Sequence, residues 1–211
     1  MKTKAVLLVF SSFVFLSACA SMQAGSEVAA GRRAMLGGNN EAALSYFVSA
    51  AQTDPNYKYG SAYKQSILSY VGRSEYALGR LPQARETLKK ALAANKDEDI
   101  TRLYLGLTLA RSGDRQAGLK EIESGMRGIH DWIEYITLAF RFSFGIYWDP
   151  AREIRTQIQG DLAMISGKDL DWQRLISDSE WVAKRMEEEG DKARHDEFLD
   201  RQRDSEGRDN R

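Results

Sequence analysis

The fold is decided by a stretch that begins at Gly38 and reads GNNEAALSYFVSAA through residue 51. Ala43, Phe47 and Ala50 recur in it at i, i+4 and i+7, so on a helix they lie on one face. Gly38 stands before this helix, where a glycine can adopt the left-handed conformation that ends a preceding helix. Pro55 follows the stretch and cannot continue a helix. The stretch therefore predicts the turn and the second helix of a helical hairpin.

The same spacing returns twice further along the chain. Its members are Gly79, Ala84, Leu88 and Ala91 in the second copy, and Gly113, Gly118, Ile122 and Gly125 in the third, which follows after 34 residues. Each copy also has a glycine seven residues before its turn glycine, namely Gly31, Gly72 and Gly106. Small residues at these places let two helix axes cross closely. The large residue of each copy (Phe47, Leu88 or Ile122) is expected to pack into the next hairpin.

This pattern resembles the second half of a tetratricopeptide (TPR) repeat, in which glycine, alanine, a large apolar residue, alanine and proline follow in that order. The resemblance implies an all-α, TPR-like array of helical hairpins. About three repeats would occupy residues 27–128, followed by a degenerate fourth hairpin and a C-terminal capping helix. One departure is a surplus of seven residues between the first two repeats, near Tyr57–Tyr63. Another is the glycine at positions 118 and 125, where alanine is usual.

The sequence after Gly128 predicts a helical cap over residues 129–200. Residues 131–144 are apolar and aromatic and are expected to form one helix. Asp149-Pro150 predicts the start of the next helix, with the aspartate as N-cap. The apolar stripe of that helix consists of Ile154, Ile158, Leu162 and Ile165. Residues 177–180, SDSE, match a capping box and predict a final helix from Asp178, whereas residues 201–211 are predicted to be disordered.

The first 18 residues have the pattern of a secretion signal. Lys2 and Lys4 precede an apolar run to Leu16, which is shorter than the roughly 20 residues of a membrane-spanning helix. The run ends Leu16-Ser17-Ala18-Cys19, and Cys19 is the only cysteine of the chain. This ending resembles the lipobox of bacterial lipoproteins.

The lipobox resemblance implies that Cys19 receives a diacylglycerol and becomes the new N-terminus. Two or more acyl chains give stable membrane anchoring. Because no aspartate follows the cysteine, the resemblance also implies an outer-membrane protein that faces the periplasm. Residues 19–26 would be a lipidated tether.

The overall charge and the cysteine count exclude other classes. The chain has 30 basic and 30 acidic residues, so no basic field favours nucleic acid as a partner. One cysteine cannot form a disulfide within the chain.

The sequence carries no recognisable catalytic or cofactor motif. GxxxxGK[ST], GxGxxG and GxSxG are absent. His130 and His195 are 65 residues apart without a cysteine partner, which argues against a zinc site. Asp169, Asp171 and Glu180 match a calcium loop in part, but Arg174 stands where that loop requires glycine. We therefore expect no enzymatic activity, no metal and no cofactor.

The densest aromatic stretch, FRFSFGIYW over residues 140–148, allows two interpretations. It is either a loop that contacts a peptide or a membrane, or part of the core beneath the capping helices.

The TPR resemblance also implies a partner-binding groove lined by the first helix of each repeat. The positions it carries over are Arg32, Met35, Leu36, Arg73, Tyr76, Leu107 and Arg111. Arginine binds carboxylates bidentately, so these residues suit an acidic peptide, although the arginines could instead form surface pairs within helices.

The expected function is that of a membrane-anchored periplasmic adaptor for envelope proteins, in the assembly of secretion, pilus, outer-membrane or peptidoglycan machinery. Two alternatives stay open. One is an enzyme or accessory subunit with Asp149 or His130 in a cleft between the repeats and the C-terminal helices. The other is a self-assembling structural lipoprotein.

Overall fold

The computed structural model describes residues 20–209. Within them the chain forms eight α-helices and one short antiparallel ribbon. The elements are α1 (20–36), α2 (Asn40–Thr53), β1 (Lys58–Tyr59), β2 (Gln65–Ser66), α3 (Ile67–Ala77), α4 (Leu81–Ala94), α5 (Asp99–Arg111), α6 (Arg115–Ala139), a 3-10 helix (Phe144–Tyr147), α7 (Glu153–Ser166) and α8 (Trp172–Asp209). The prediction of an all-α array of helical hairpins is confirmed. The signal sequence and Cys19 lie outside the described residues.

Three hairpins, α1–α2, α3–α4 and α5–α6, share one turn geometry. Their turn glycines are Gly38, Gly79 and Gly113, with φ of +81°, +72° and +97°. In the first turn the N–H of Gly38 donates to the carbonyl of Met35 at 3.0 Å, and the N–H of Asn39 donates to that of Ala34 at 2.8 Å. The other two turns repeat this pair of bonds. Glycine adopts the positive φ that this helix end requires without steric cost.

The upstream glycines bring the two helices of each hairpin into close contact. A Cβ placed on Gly31 would lie 2.6 Å from the ring of Phe47, and one on Gly72 would lie 2.6 Å from Leu88. The third hairpin repeats the contact between Gly106 and Ile122. The large residue of each repeat therefore packs on the glycine of its own hairpin. Phe47 also stacks on Tyr70 of the next hairpin, with ring centroids 4.9 Å apart.

The surplus residues between the first two hairpins form the β1–β2 ribbon. Lys58 pairs with Ser66 and Tyr59 pairs with Gln65. The side chain of Ser66 accepts from the N–H of Ser69 at 3.3 Å, so the end of the ribbon caps α3.

The N-terminal segment differs from the predicted tether. Residues 20–26 belong to α1, and Ala24 and Val28 are fully buried in the core that α1 shares with α2 and α3. Burial of these small apolar side chains favours a packed helix over an extended linker.

The fourth hairpin also differs in its boundaries. Its first helix is the continuation of α6, which runs without a break from Arg115 to Ala139. The next helix, α7, begins at Glu153 after a turn in which Asp149 and Arg152 have φ of 44° and 58°. The N-cap residue is Arg152 rather than the predicted Asp149, but the carboxylate of Asp149 accepts from the N–H groups of Ile154 and Arg155 in the first turn, at 3.0 and 3.2 Å.

The last helix begins earlier and ends later than predicted. Asp171 Oδ1 accepts from the N–H groups of Gln173 and Arg174 at 3.0 and 3.1 Å and caps α8 at its start. The expected capping box lies inside the helix, where the hydroxyl of Ser179 donates to the carbonyl of Leu175 at 2.6 Å. Helix α8 extends to Asp209, so residues 201–209 are helical rather than disordered.

The described chain divides into two compact units. The first comprises residues 20–60 and 64–91, and the second comprises residues 61–63 and 92–209. The core of the first unit includes Phe47, Ile67 and Tyr70. Buried apolar residues of the second include Leu103, Leu107, Ile122, Met126, Ile129, Ile133, Ile154 and Ile158. No helix between residues 20 and 209 has the length and apolarity needed to span a membrane.

Candidate functional site

Two of the predicted groove arginines meet the ribbon in the first unit. Arg32 on α1 and Arg73 on α3 are both buried, with 5% and 2% of their surface exposed. Arg32 Nη1 donates to the hydroxyl of Tyr59 at 3.4 Å, and Arg73 Nη1 donates to Gln65 Oε1 at 2.8 Å. Because Tyr59 and Gln65 face each other in the ribbon, the insertion brings the contacts of the two arginines side by side.

Aromatic rings connect the two guanidinium groups. The guanidinium carbon of Arg32 lies 4.8 Å from the centre of the Tyr59 ring, and that of Arg73 lies 5.1 Å from the centre of the Tyr70 ring. Tyr59 and Tyr70 pack edge to face at 6.4 Å. Both contacts are within the range of cation–π interactions. We call Arg32, Tyr59, Gln65, Tyr70 and Arg73 the arginine–tyrosine cluster.

The cluster combines two positive charges with aromatic walls. Guanidinium groups present paired donors that match a carboxylate, and they are weakly hydrated compared with ammonium. Tyr59 is half-buried, so one wall of the cluster reaches the surface. Chemically, guanidinium groups beside aromatic rings are suited to an anionic group that carries an apolar or aromatic neighbour.

The other predicted groove residues are distributed over both units. Met35 and Leu36 are half-buried on α1, and Met35 packs against the core of the first unit. Tyr76 is buried on α3. Leu107 is fully buried in the second unit, whereas Arg111, on the same helix, is exposed. The structure thus brings together Arg32 and Arg73, but places Leu107 and Arg111 in a different unit.

Sequence reasoning missed Tyr59, Gln65 and Tyr70. The first two lie in or beside the seven-residue surplus, for which the repeat pattern gives no template. The available signal was the run of tyrosines at positions 57, 59 and 63 within that surplus, which indicates aromatic packing.

A second polar cluster joins α6, α7 and α8 in the second unit. Asp149 and Arg155 are buried, and Arg155 Nε donates to Asp149 Oδ2 at 2.9 Å. Arg155 also donates to Glu134 Oε1 at 3.0 Å, which lowers the pKa of Glu134. Glu189 of α8 accepts from the N–H of Asp149 at 2.9 Å. Both carboxylate oxygens of Asp149 take part in such bonds. Asp149 therefore stabilises the packing of these helices.

The second acid–base candidate, His130, has polar neighbours on both ring nitrogens. Nδ1 lies 3.3 Å from Asp131 Oδ1, and Nε2 lies 3.1 Å from Gln159 Nε2. No serine, threonine or cysteine takes part in these contacts. Among residues 20–203, whose side chains the structure describes, there is also no cluster of three or more potential metal ligands.

Two carboxyl groups in the second unit, Asp161 and Asp99, have pKa values raised by burial towards neutral pH. Burial raises the pKa of Asp161 to about 7, and Asp178 contributes in the same direction. The folded chain binds the carboxyl proton of Asp161 more tightly than the unfolded chain does. Ionisation of Asp161 therefore lowers the free energy of unfolding progressively as the pH rises from 3.8 to about 7. Asp161 lies on α7, is fully buried and belongs to the packing of the unit.

Comparisons of the chain with protein-family models, with curated proteins and with solved structures found no match.

Proposed function

We propose that this protein is a lipid-anchored periplasmic adaptor that binds an acidic segment of an envelope protein. The observation that supports this most is the arginine–tyrosine cluster, because two arginines from equivalent places in successive hairpins meet one ribbon. The proposal combines this cluster with the TPR-like pattern and the lipobox-like ending at Cys19.

The chemistry of the cluster fits a carboxylate better than a phosphate-rich polymer. The charge is confined to two guanidinium groups within aromatic packing, and the chain as a whole is neutral. Local charge of this kind gives specificity, whereas nucleic acids are bound through extended basic surfaces.

Binding is expected to depend on the shape of the guanidinium group as well as its charge. Arg73→Lys keeps the positive charge but loses the paired donors. Loss of one charge-assisted hydrogen bond should weaken partner binding about tenfold. The lysine variant is preferable to Arg73→Ala, which would remove the donor of Gln65 and the packing on Tyr70. The measurement is the amount of each protein captured from detergent-solubilised envelopes by the purified full chain.

The matched control for this prediction is Arg127→Lys. Arg127 is exposed and pairs with Glu123 on its own helix at 2.8 Å, so its replacement should leave capture unchanged. Raising the salt concentration should weaken capture by the parent chain, since charge contacts are screened. If a chain carrying Arg32→Lys, Arg73→Lys and Arg111→Lys captures the same proteins equally well, partner binding does not require the guanidinium groups of these arginines.

The anchoring half of the proposal depends on the thiol of Cys19. Cys19→Ala should abolish incorporation of labelled palmitate and leave the precursor or unlipidated protein, because no other thiol is available. Ser17→Ala is the control, since alanine is equally typical of that lipobox position, and it should be labelled normally. Labelling of the Cys19→Ala chain at the parent level would refute the lipobox interpretation.

A further inference from the structure

The second unit exposes large apolar side chains at the C-terminal end of α6. The exposed fractions are 60% for Tyr135, 69% for Leu138, 89% for Phe142 and 50% for Ile146. Tyr135 and Leu138 are three residues apart on α6 and therefore share a face, and Phe142 and Ile146 follow in the turn and the 3-10 helix. We call these four residues the apolar tip. Exposed apolar patches of this kind indicate a contact surface.

The backbone under the apolar tip is tightly packed. A Cβ on Gly145 would lie 2.3 Å from the carbonyl oxygen of Ile136. The N–H groups of Ser143 and Gly145 both donate to the carbonyl of Phe140, at 2.9 and 3.1 Å. Phe140 stacks on Phe144, with ring centroids 4.6 Å apart. Phe142 is therefore held outward by a fixed turn, so its exposure is a property of the fold.

A positive charge lies on the apolar tip. The guanidinium carbon of Arg141 is 4.7 Å from the centre of the Phe142 ring. In the part of the chain that the structure describes, no carboxylate forms an ion pair with Arg141. The tip thus offers apolar side chains, one tyrosine hydroxyl and one cation that forms no ion pair within the described chain, and Phe142 and Ile146 line a pocket that also contains Glu197, Asp200, Arg201 and Arg203 of α8.

We infer that the apolar tip inserts into the headgroup region of an anionic lipid bilayer. Membrane surfaces favour side chains with an apolar body and a polar end, such as tyrosine and arginine, next to exposed leucine, isoleucine and phenylalanine. The polar ends stay in water and the apolar parts are buried in the bilayer. The cation matches anionic headgroups. A projecting side chain such as Phe142 suits a fluid surface more than a shaped protein groove. This inference uses neither Cys19 nor the arginine–tyrosine cluster, so it stands or fails separately from the proposed function.

The test is a local probe, because the N-terminal region can hold the chain on vesicles by itself. The full chain with Cys19→Ser and Phe142→Cys has one thiol, which is labelled with bimane. On vesicles of phosphatidylcholine and phosphatidylglycerol, we expect the emission at position 142 to shift to the blue and to be quenched by brominated acyl chains. The control is bimane on Tyr46→Cys, an exposed aromatic position on α2 in the first unit, where neither change is expected.

Two further substitutions separate the apolar and the charge contributions. Leu138→Ser should lower the ratio of inserted to free tips about tenfold, because burial of one leucine side chain favours insertion by about that factor. Arg141→Gln should lower it about fivefold on anionic vesicles and leave it unchanged on phosphatidylcholine. Both side chains are exposed, and unchanged thermal unfolding confirms that the fold is retained.

Two outcomes would overturn the inference. One is a label at position 142 that stays in water while the chain floats with the vesicles. The other is a blue shift without vesicles that grows with protein concentration, since that would identify a second copy of this chain as the occupant of the tip.

Discussion

Arg155→Ala is expected to lower the free energy of unfolding by about 3–5 kcal/mol. Arg155 and Asp149 form a buried ion pair in which their side chains are 6% and 3% exposed. Removal of the guanidinium would leave the carboxylate of Asp149 buried without its cation. It would also remove the bonds from Arg155 to Glu134 at 3.0 Å and to the carbonyl of Asp149 at 2.8 Å. Denaturation with urea, followed by circular dichroism, measures the change.

The matched control is Arg152→Ala. Arg152 binds the same carboxylate oxygen of Glu134 at 3.1 Å, but its side chain is 57% exposed. An exposed ion pair contributes about 0–1 kcal/mol, so this variant should stay close to the parent. If both variants lose the same free energy of unfolding, the burial of Asp149 and Arg155 does not determine how much their ion pair contributes to stability.

The C-terminal half shows what sequence patterns can and cannot predict. The apolar periodicity identified α7, but its N-cap is Arg152 and not the predicted Asp149, whose carboxylate reaches the first turn from three residues upstream. The helix predicted over residues 131–144 is not separate from the third repeat, because α6 continues from Arg115 through Gly128 to Ala139, and Gly128 has a different role from the turn glycines. A Cβ on Gly128 would lie 2.0 Å from Asp99 Oδ1, so this glycine allows a close contact inside a continuous helix. Sequence alone does not distinguish a glycine that ends a helix from one that makes room for a neighbour.

The N-terminal end illustrates the limit set by composition. Residues 20–26, ASMQAGS, are small and polar, which is typical of a linker. They nevertheless form part of α1, because Ala24 and Val28 supply the apolar contacts with the rest of the first unit. Tertiary burial decides the structure of such a segment, and local propensity does not.

The candidate site was predictable only where the repeat pattern applies. Arg32 and Arg73 were found because they occupy equivalent places in two hairpins. Tyr59 and Gln65 were not found, because an insertion has no counterpart in the other repeats and its register depends on backbone pairing. The repeat therefore supplied the charges, and the insertion supplied the groups that position them.

Gly118→Ala is expected to destabilise the chain strongly, because α5 and α6 approach each other closely at Gly118. A Cβ on Gly118 would lie 2.7 Å from the backbone nitrogen of Ala110 and 2.8 Å from the carbonyl oxygen of Gly106. These are backbone atoms, so they cannot move aside as a flexible side chain could.

Gly118→Ala should therefore separate the two helices and destabilise the chain by about 1–3 kcal/mol. This loss is expected despite the gain that alanine normally brings in the middle of a helix.

Gly160→Ala provides the same chemical change in a different environment. Gly160 lies inside α7, and a Cβ there would meet no atom within 4 Å. Only helix propensity then changes, and the variant should be more stable than the parent by up to about 1 kcal/mol. Urea denaturation of the two variants should consequently give shifts of opposite sign. A Gly118→Ala chain as stable as the Gly160→Ala chain would show that α5 and α6 do not require glycine at their crossing, and the reason for the small residues in the third repeat would have to be sought elsewhere.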